Sequence, residues 1–183
     1  MKRQILFIHS AGAQGPHQGS SDLVTSLQQS LGAQYDVLYP KMPNPERPSY
    51  EPWKEKLEQE LAELEGELIL IGHSLGGSVL LKHISENGYG QSVAGLFLAA
   101  APYWGNDEEW SVEQFRLLED FPSRLGRIPR IHIYHSRDDE IVPFEHARLY
   151  AEKLPWAILR SLDNRGHAFG SGIPELVDDI RSL

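Results

Sequence analysis

The run Leu68-Ile69-Leu70-Ile71 carries no polar side chain at any position. Successive side chains of a strand point to opposite faces, so a strand made of this run needs an apolar layer on both sides. Sheets covered by helices on both faces are the parallel ones. Five further short stretches fit strands, at 5–8, 35–39, 93–100, 130–135 and 157–162. Between them lie segments of helical period. Leu23, Val24, Leu27 and Leu31 share a helical face, with Ser20 and Ser21 as capping residues before it and Gly32 closing it. Trp53, Leu57, Leu61 and Leu64 repeat at helical spacing between Pro52 and Gly66. Residues 74–86, 144–154 and 174–182 complete the helices. Pro40, Pro43, Pro45 and Pro48 keep the intervening stretch extended, since none can donate to a ladder.

Strand alternating with helix predicts the α/β class: a three-layer α/β/α sandwich around a mostly parallel sheet of about six strands. The 183 residues suit one domain spanning 1–183, with no repeat or linker tract to divide it. Segment 102–129 is longer than a plain crossover needs. Trp104, Trp110, Phe115, Leu117 and Leu118 in it suggest a helix with an aromatic approach, forming a small cap insertion over a site.

Charge and cysteine content narrow the function. Lys and Arg number 17 against 26 Asp and Glu, a formal net charge of −9. An acidic chain repels phosphate backbones and anionic lipid surfaces, so nucleic acid and membrane are disfavoured as partners. Cysteine is absent, which excludes disulfides, cysteine-ligated zinc, iron–sulfur clusters and thiol catalysis. After Lys2 and Arg3, the apolar run Ile5-Leu6-Phe7-Ile8 is too short for a secretory core segment. No stretch approaches the roughly 18 apolar residues of a membrane span. A cytoplasmic protein without a membrane span is expected.

Gly72-His73-Ser74-Leu75-Gly76-Gly77 follows the buried run directly and opens a predicted helix. A Gly-x-Ser-x-Gly sequence between strand and helix is the setting of a nucleophile elbow. The sharp turn leaves no room for side chains at Gly72 and Gly76, and it lifts the Ser74 hydroxyl above the sheet edge at the positive end of the helix. A serine hydroxyl needs a base within hydrogen-bond reach. His167, between Gly166 and Gly170 after the sixth strand, stands where loops of such sheets bind ligands. The base in turn needs a carboxylate, and Asp138, Asp139 and Glu140 compete for that role after the fifth strand. The chain order serine, acid, histidine is the hydrolase order.

The Ser74 turn, the Asp138-Asp139-Glu140-Ile141-Val142-Pro143 loop and the Gly166-His167 pair resemble the α/β-hydrolase family over nearly the whole chain. In that family's Asp-x-x-Val-Pro loop the acid stands four residues before the proline, which implies Asp139, with Asp138 second and Glu140 facing solvent. The short length and small middle insertion resemble the compact serine hydrolases of the retinoblastoma-binding-protein-9-like branch. The oxyanion hole requires two backbone N–H donors. Leu75, after the nucleophile, should supply one. The loop His9-Ser10-Ala11-Gly12 after the first strand should supply the other, through Ala11 with Ser10 behind it. Family members often carry His-Gly there.

The remaining histidines have plainer readings. His9 and His73 flank the site and should orient loops. His132 and His135 lie three apart on a strand and point to opposite faces, so they form no simple metal pair. His17, His83 and His146 lack ligand spacing, and the Gly-rich stretch 11–19 lacks both phosphate-loop patterns. No metal or cofactor is expected. Trp104, Trp110, Phe115, Phe144 and Phe169 are candidates for an acyl pocket, and Asp107, Glu108 and Glu109 for a solvated charge run. The expected function is a serine hydrolase cleaving small acyl esters, its partner a small-molecule acyl substrate. The same triad also serves a thioesterase, lipase or peptidase. A non-catalytic binding module retaining the fold is the reading from a different class.

Overall fold

A computed structural model describes residues 2–88, 90 and 92–183; Met1, at the head of the N-terminal reading, lies outside them. The strands are β1 Arg3–Ile8, β2 Tyr35–Leu38, β3 Glu67–His73, β4 Ser92–Ala99, β5 Ile131–Ser136 and β6 Ile158–Leu162. The helices are α1 Ser21–Leu31, α2 Tyr50–Ala62, α3 Leu75–Asn87, α4 Phe121–Arg124, α5 Glu145–Lys153 and α6 Pro174–Arg181. The six strands form one sheet in the order β2-β1-β3-β4-β5-β6. Every neighbouring pair is parallel, as expected.

The run Leu68-Ile69-Leu70-Ile71 behaves as its composition demands. Leu68 and Leu70 face one apolar layer with Leu6, Ile8, Leu96 and Leu98, packed by Trp53 and Leu57 of α2, Val79 and Leu80 of α3 and Tyr150 of α5. Ile69 and Ile71 face the other layer with Ile5, Phe7 and Phe97, covered by Leu23 and Leu27 of α1 and Leu176 and Ile180 of α6. All four side chains of the run are essentially inaccessible. Burying one such side chain is worth about 1.5–3 kcal/mol, so the two layers secure the register of the central strand.

The strand order reverses at β1: the chain steps outward from β1 to β2, then returns to place β3 on β1's other side. Such a switch point opens a crevice beyond the carboxyl ends of the strands, where open α/β sheets bind ligands. The loops after β1 and β3 therefore border it.

Helix α2 ends at Ala62, short of Leu64 and Gly66, and three further details differ from the sequence reading. Helix α2 begins at Tyr50, so Pro52 sits within the first turn, where its missing N–H breaks no helical bond. Ser20 occupies the N-terminal capping position of α1 but makes no capping bond with its side chain. The third correction is larger. Segment 102–129 does not form the expected helix; it holds a 3-10 turn at Glu113–Phe115 and the single turn α4. Gly105, Gly126 and the polar run from Asn106 to Glu109 interrupt any helical face, and the aromatic residues reach inward from loops. The segment is nonetheless tied down. The Pro102 carbonyl accepts from both Ser78 Oγ and Tyr150 OH at 2.8 Å. Tyr103 N–H donates to His146 Nδ1 at 2.8 Å, Tyr50 N–H to Gln114 Oε1 at 2.9 Å, and Lys82 Nζ to the Arg116 carbonyl at 2.6 Å. Among the described residues no helix is long and apolar enough to cross a membrane.

Candidate active site

Ser74 joins β3 to α3 with φ 52° and ψ −125°, a region costing a non-glycine residue on the order of 1–3 kcal/mol. The surroundings enforce it. Ser74 N–H donates to the Ala99 carbonyl at 2.8 Å, and the Ser74 carbonyl accepts from Gly77 N–H at 2.9 Å. A Cβ on Gly72 would stand 2.4 Å from Gly77 Cα, and one on Gly76 only 2.2 Å from the Ile8 carbonyl oxygen. The turn thus closes because α3 packs directly against the ends of β1 and β3.

His167, in the loop after β6, reaches back to this turn. Its Nε2 lies 3.0 Å from Ser74 Oγ, and its Nδ1 lies 2.9 Å and 3.0 Å from the two Asp139 oxygens. An ionised carboxylate only accepts, so Nδ1–H donates to Asp139, leaving Nε2 to accept the Ser74 proton. The side chain of Asp139 is fully buried at the end of β5. Burial alone would raise its pKa, but hydrogen bonds from His135, His167 and the Val142 N–H outweigh burial and hold the carboxyl well below the usual range. The Ile141 N–H donates to it as well, at 2.9 Å.

The two other acids hold the same loop at different points. Asp138 accepts from the Ser136 hydroxyl and, at 3.3 Å, from Arg165 N–H. The Ser136 bond is the first cause holding the Asp138 carboxyl below its ordinary value. Glu140 faces solvent as expected, yet its Oε2 accepts the His167 N–H at 3.2 Å. The sequence does not single out His135 for this site. Its fully buried Nε2 stands 3.2 Å from Asp139 Oδ2 and donates to the Val142 carbonyl at 2.8 Å. No pattern in the sequence signals that contact, because it depends on the reversal of the chain after β5.

A cavity of about 440 Å³ opens above Ser74. Ser10, Ala11, Leu75, His73 and His167 border it, with Pro48, Pro102, Trp104, Trp110, Phe115 and Ile141 as its apolar walls. None of its lining side chains is an acid, a lysine or an arginine. Among the described residues the Ala11 and Leu75 amides have no acceptor, whereas the Ser10 N–H donates to Ser20 Oγ at 2.9 Å. Trp104, Trp110 and Phe115 stand as anticipated at the cavity. Phe144 and Phe169 do not line it. Phe144 packs on His135 beneath two arginines, and Phe169 is buried in the α1–α6 layer against His73. Asp107, Glu108 and Glu109 are exposed.

An all-parallel sheet with this order, carrying a strained serine at the β3–α3 turn and a histidine loop behind it, defines a hydrolase of the α/β-hydrolase superfamily. A family model described as "Serine hydrolase" matches residues 18–171, and the chain belongs to that family. It is 26% identical over 172 residues to YdeN of Bacillus subtilis (strain 168), a protein provisionally named a hydrolase, covering 91% of this chain and 86% of YdeN. The crystal structure of the ydeN gene product from B. subtilis matches with a TM-score of 0.83 at 20% identity, over 99% of this chain and 98% of that one. The 2-hydroxy-6-oxo-6-phenylhexa-2,4-dienoate hydrolase BphD from Rhodococcus sp. strain RHA1 matches with a TM-score of 0.71 at 18% identity, over 98% and 91%. At these identities the likeness of the solved structures is one of fold.

Proposed function

We propose that the chain is a carboxylic ester hydrolase acting on small, uncharged acyl esters through Ser74, His167 and Asp139. The observation that carries this reading is the placement of one imidazole between the Ser74 hydroxyl at 3.0 Å and the Asp139 carboxylate at 2.9 Å. Ser74 Oγ attacks the ester carbonyl carbon while His167 Nε2 takes its proton. The tetrahedral oxyanion is met by the Leu75 and Ala11 N–H groups, neither of which has an acceptor among the described residues. The C–O bond to the leaving alcohol then breaks, and His167 returns the proton to that alcohol. Water, deprotonated by the same nitrogen, attacks the acyl-enzyme and releases the acid and free Ser74. Asp139 stays ionised throughout and stabilises the imidazolium. None of these steps calls for a metal or cofactor.

The apolar, aromatic cavity favours a neutral acyl group, and segment 102–129 supplies four of its walls, Pro102, Trp104, Trp110 and Phe115, as a small cap on a single catalytic domain. Replacing Ser74 with Ala tests the reading. Hydrolysis of p-nitrophenyl acetate should fall by about 10⁴-fold or more, and covalent labelling by a fluorophosphonate probe should vanish. A folded Ser74→Ala variant that keeps wild-type turnover overturns the mechanism.

A further inference from the structure

The His73 imidazole, next to the serine in the elbow, spends both nitrogens on other loops. It is 1% exposed. Its Nε2 lies 2.8 Å from the carbonyl oxygen of His167, which can only accept. Nε2 is therefore the protonated nitrogen, and Nδ1 carries the lone pair. Ser20 Oγ stands 2.7 Å from Nδ1, so the serine hydroxyl donates to it. With its proton committed, Ser20 Oγ accepts the Ser10 N–H at 2.9 Å. The Ser10 hydroxyl lies 3.3 Å away on the same oxygen. The bonds run in one direction, from the Ser10 N–H through the Ser20 hydroxyl and the His73 ring to the His167 carbonyl.

The ends of that path are the two loops that flank Ser74. Ser10 precedes Ala11, whose amide has no acceptor among the described residues and borders the cavity. His167 carries the imidazole that meets Ser74 Oγ. The path also accounts for Ser20, which stands at a helix N-cap and is fully buried yet caps nothing. The His73 ring packs 5.2 Å from the His167 ring and 5.7 Å from Phe169, which limits its rotation.

We propose that His73 is a positioning residue: through Ser20 and the His167 carbonyl it locks the donor loop at Ser10-Ala11 and the base loop at His167 to one rigid point beside the nucleophile. The inference rests on the Ser74–His167 reading. It assigns His73 no contact with substrate and no proton transfer. Its work is to remove the freedom of two loops that must keep sub-ångström register in the transition state. Misplacing such groups by about 1 Å costs on the order of 100-fold.

The test is kinetic. His73→Phe keeps an aromatic ring, though a larger one, and removes both hydrogen bonds. Its kcat on p-nitrophenyl acetate should fall about 10- to 100-fold with KM within about twofold, and its fluorophosphonate labelling rate should fall in step. His73→Gln, which can place an N–H near the Nε2 position, should recover much of the loss. Ser20→Ala should lower kcat by about tenfold alone and add little in the His73→Phe background, because both changes cut one path. A folded His73→Phe protein with wild-type kcat and labelling rate overturns the proposal, as do losses that multiply in the double variant. Should His73→Phe not fold, Ser20→Ala with wild-type kcat overturns it alone. Absence of Ser74-dependent labelling in the wild-type protein instead sinks the underlying catalytic reading.

Discussion

Asp139 shows at the scale of one residue how a carboxylate can be buried and still remain charged. Its oxygens accept from the His167 ring and from the Ile141 and Val142 amides, and the His135 ring lies beside them, so the lost hydration is replaced by directed donors. Asp139→Asn keeps the shape and removes the charge. An amide can present N–H to His167 Nδ1, which forces the proton onto Nε2, and Nε2 can then no longer accept from Ser74. The expected result is a kcat about 10⁴-fold lower with the fold retained, measured on p-nitrophenyl acetate beside a thermal unfolding curve. An Asn variant with unchanged kcat would place the anion's role elsewhere. Ser74 was legible in the sequence because its demands are local: a strand before, a helix after, and glycines where Cβ atoms would collide with the Ile8 carbonyl and Gly77. Choosing among Asp138, Asp139 and Glu140 was not possible from residue type alone. All three reach the 165–167 loop, and the turn after β5 decides which oxygens meet the ring and which meet the backbone. Ser20 reads as a cap because its place in the sequence is that of a cap. Its true partner, His73, is 53 residues away.

Strands and most helices were readable as elements because each has one dominant period and a buried face. The 102–129 segment was not. Its aromatic residues at 104, 110 and 115 imply inward-facing side chains, but loops place them there without any helical repeat. Fixed points at Pro102, Tyr103, Gln114 and Arg116 anchor the segment to α2, α3 and α5, and the stretch between carries Trp110 against Trp104 and His146. The two indoles, with ring centroids 5.1 Å apart, form a wall of the cavity. Trp110→Ala should therefore act on substrate choice more than on chemistry. The preference for p-nitrophenyl butyrate over acetate, as a ratio of kcat/KM values, should fall about tenfold, the worth of one or two methylenes in an apolar pocket. Acetate itself should be cleaved at nearly the wild-type rate. An unchanged ratio would mean that the acyl chain binds away from this wall.

Over the whole molecule, the two apolar layers enclose more than apolar groups. His9, His73, His83, His132 and His146 are each no more than 4% exposed. Burial comes first among the causes that lower the pKa of every one of them, and His73 is pushed down to about 3 from an ordinary 6.5. A base whose folded pKa is lowered takes up its proton only on unfolding, so unfolding consumes protons once the pH drops below 6.5. Stability from these groups is complete above that pH and declines beneath it. His73 alone contributes a slope of about 1.4 kcal/mol per pH unit, or about 2 kcal/mol between pH 6.5 and 5. The carboxyls of Asp139 and Asp179, held low in the fold by their hydrogen-bond donors, add a loss in the same direction only at more acid pH, below the ordinary carboxylate value of 3.8. The formal charge of −9 pulls the other way, since acid relieves self-repulsion, but carboxylates scarcely titrate between pH 7 and 5 and that relief is small there. The denaturant midpoint at pH 5 should accordingly lie well below that at pH 7, with stability still rising through pH 6. A midpoint equal or higher at pH 5 would show that the buried imidazoles are protonated in the folded protein. In that case the single tautomer on which the Ser10–Ser20–His73–His167 path depends would be lost with them.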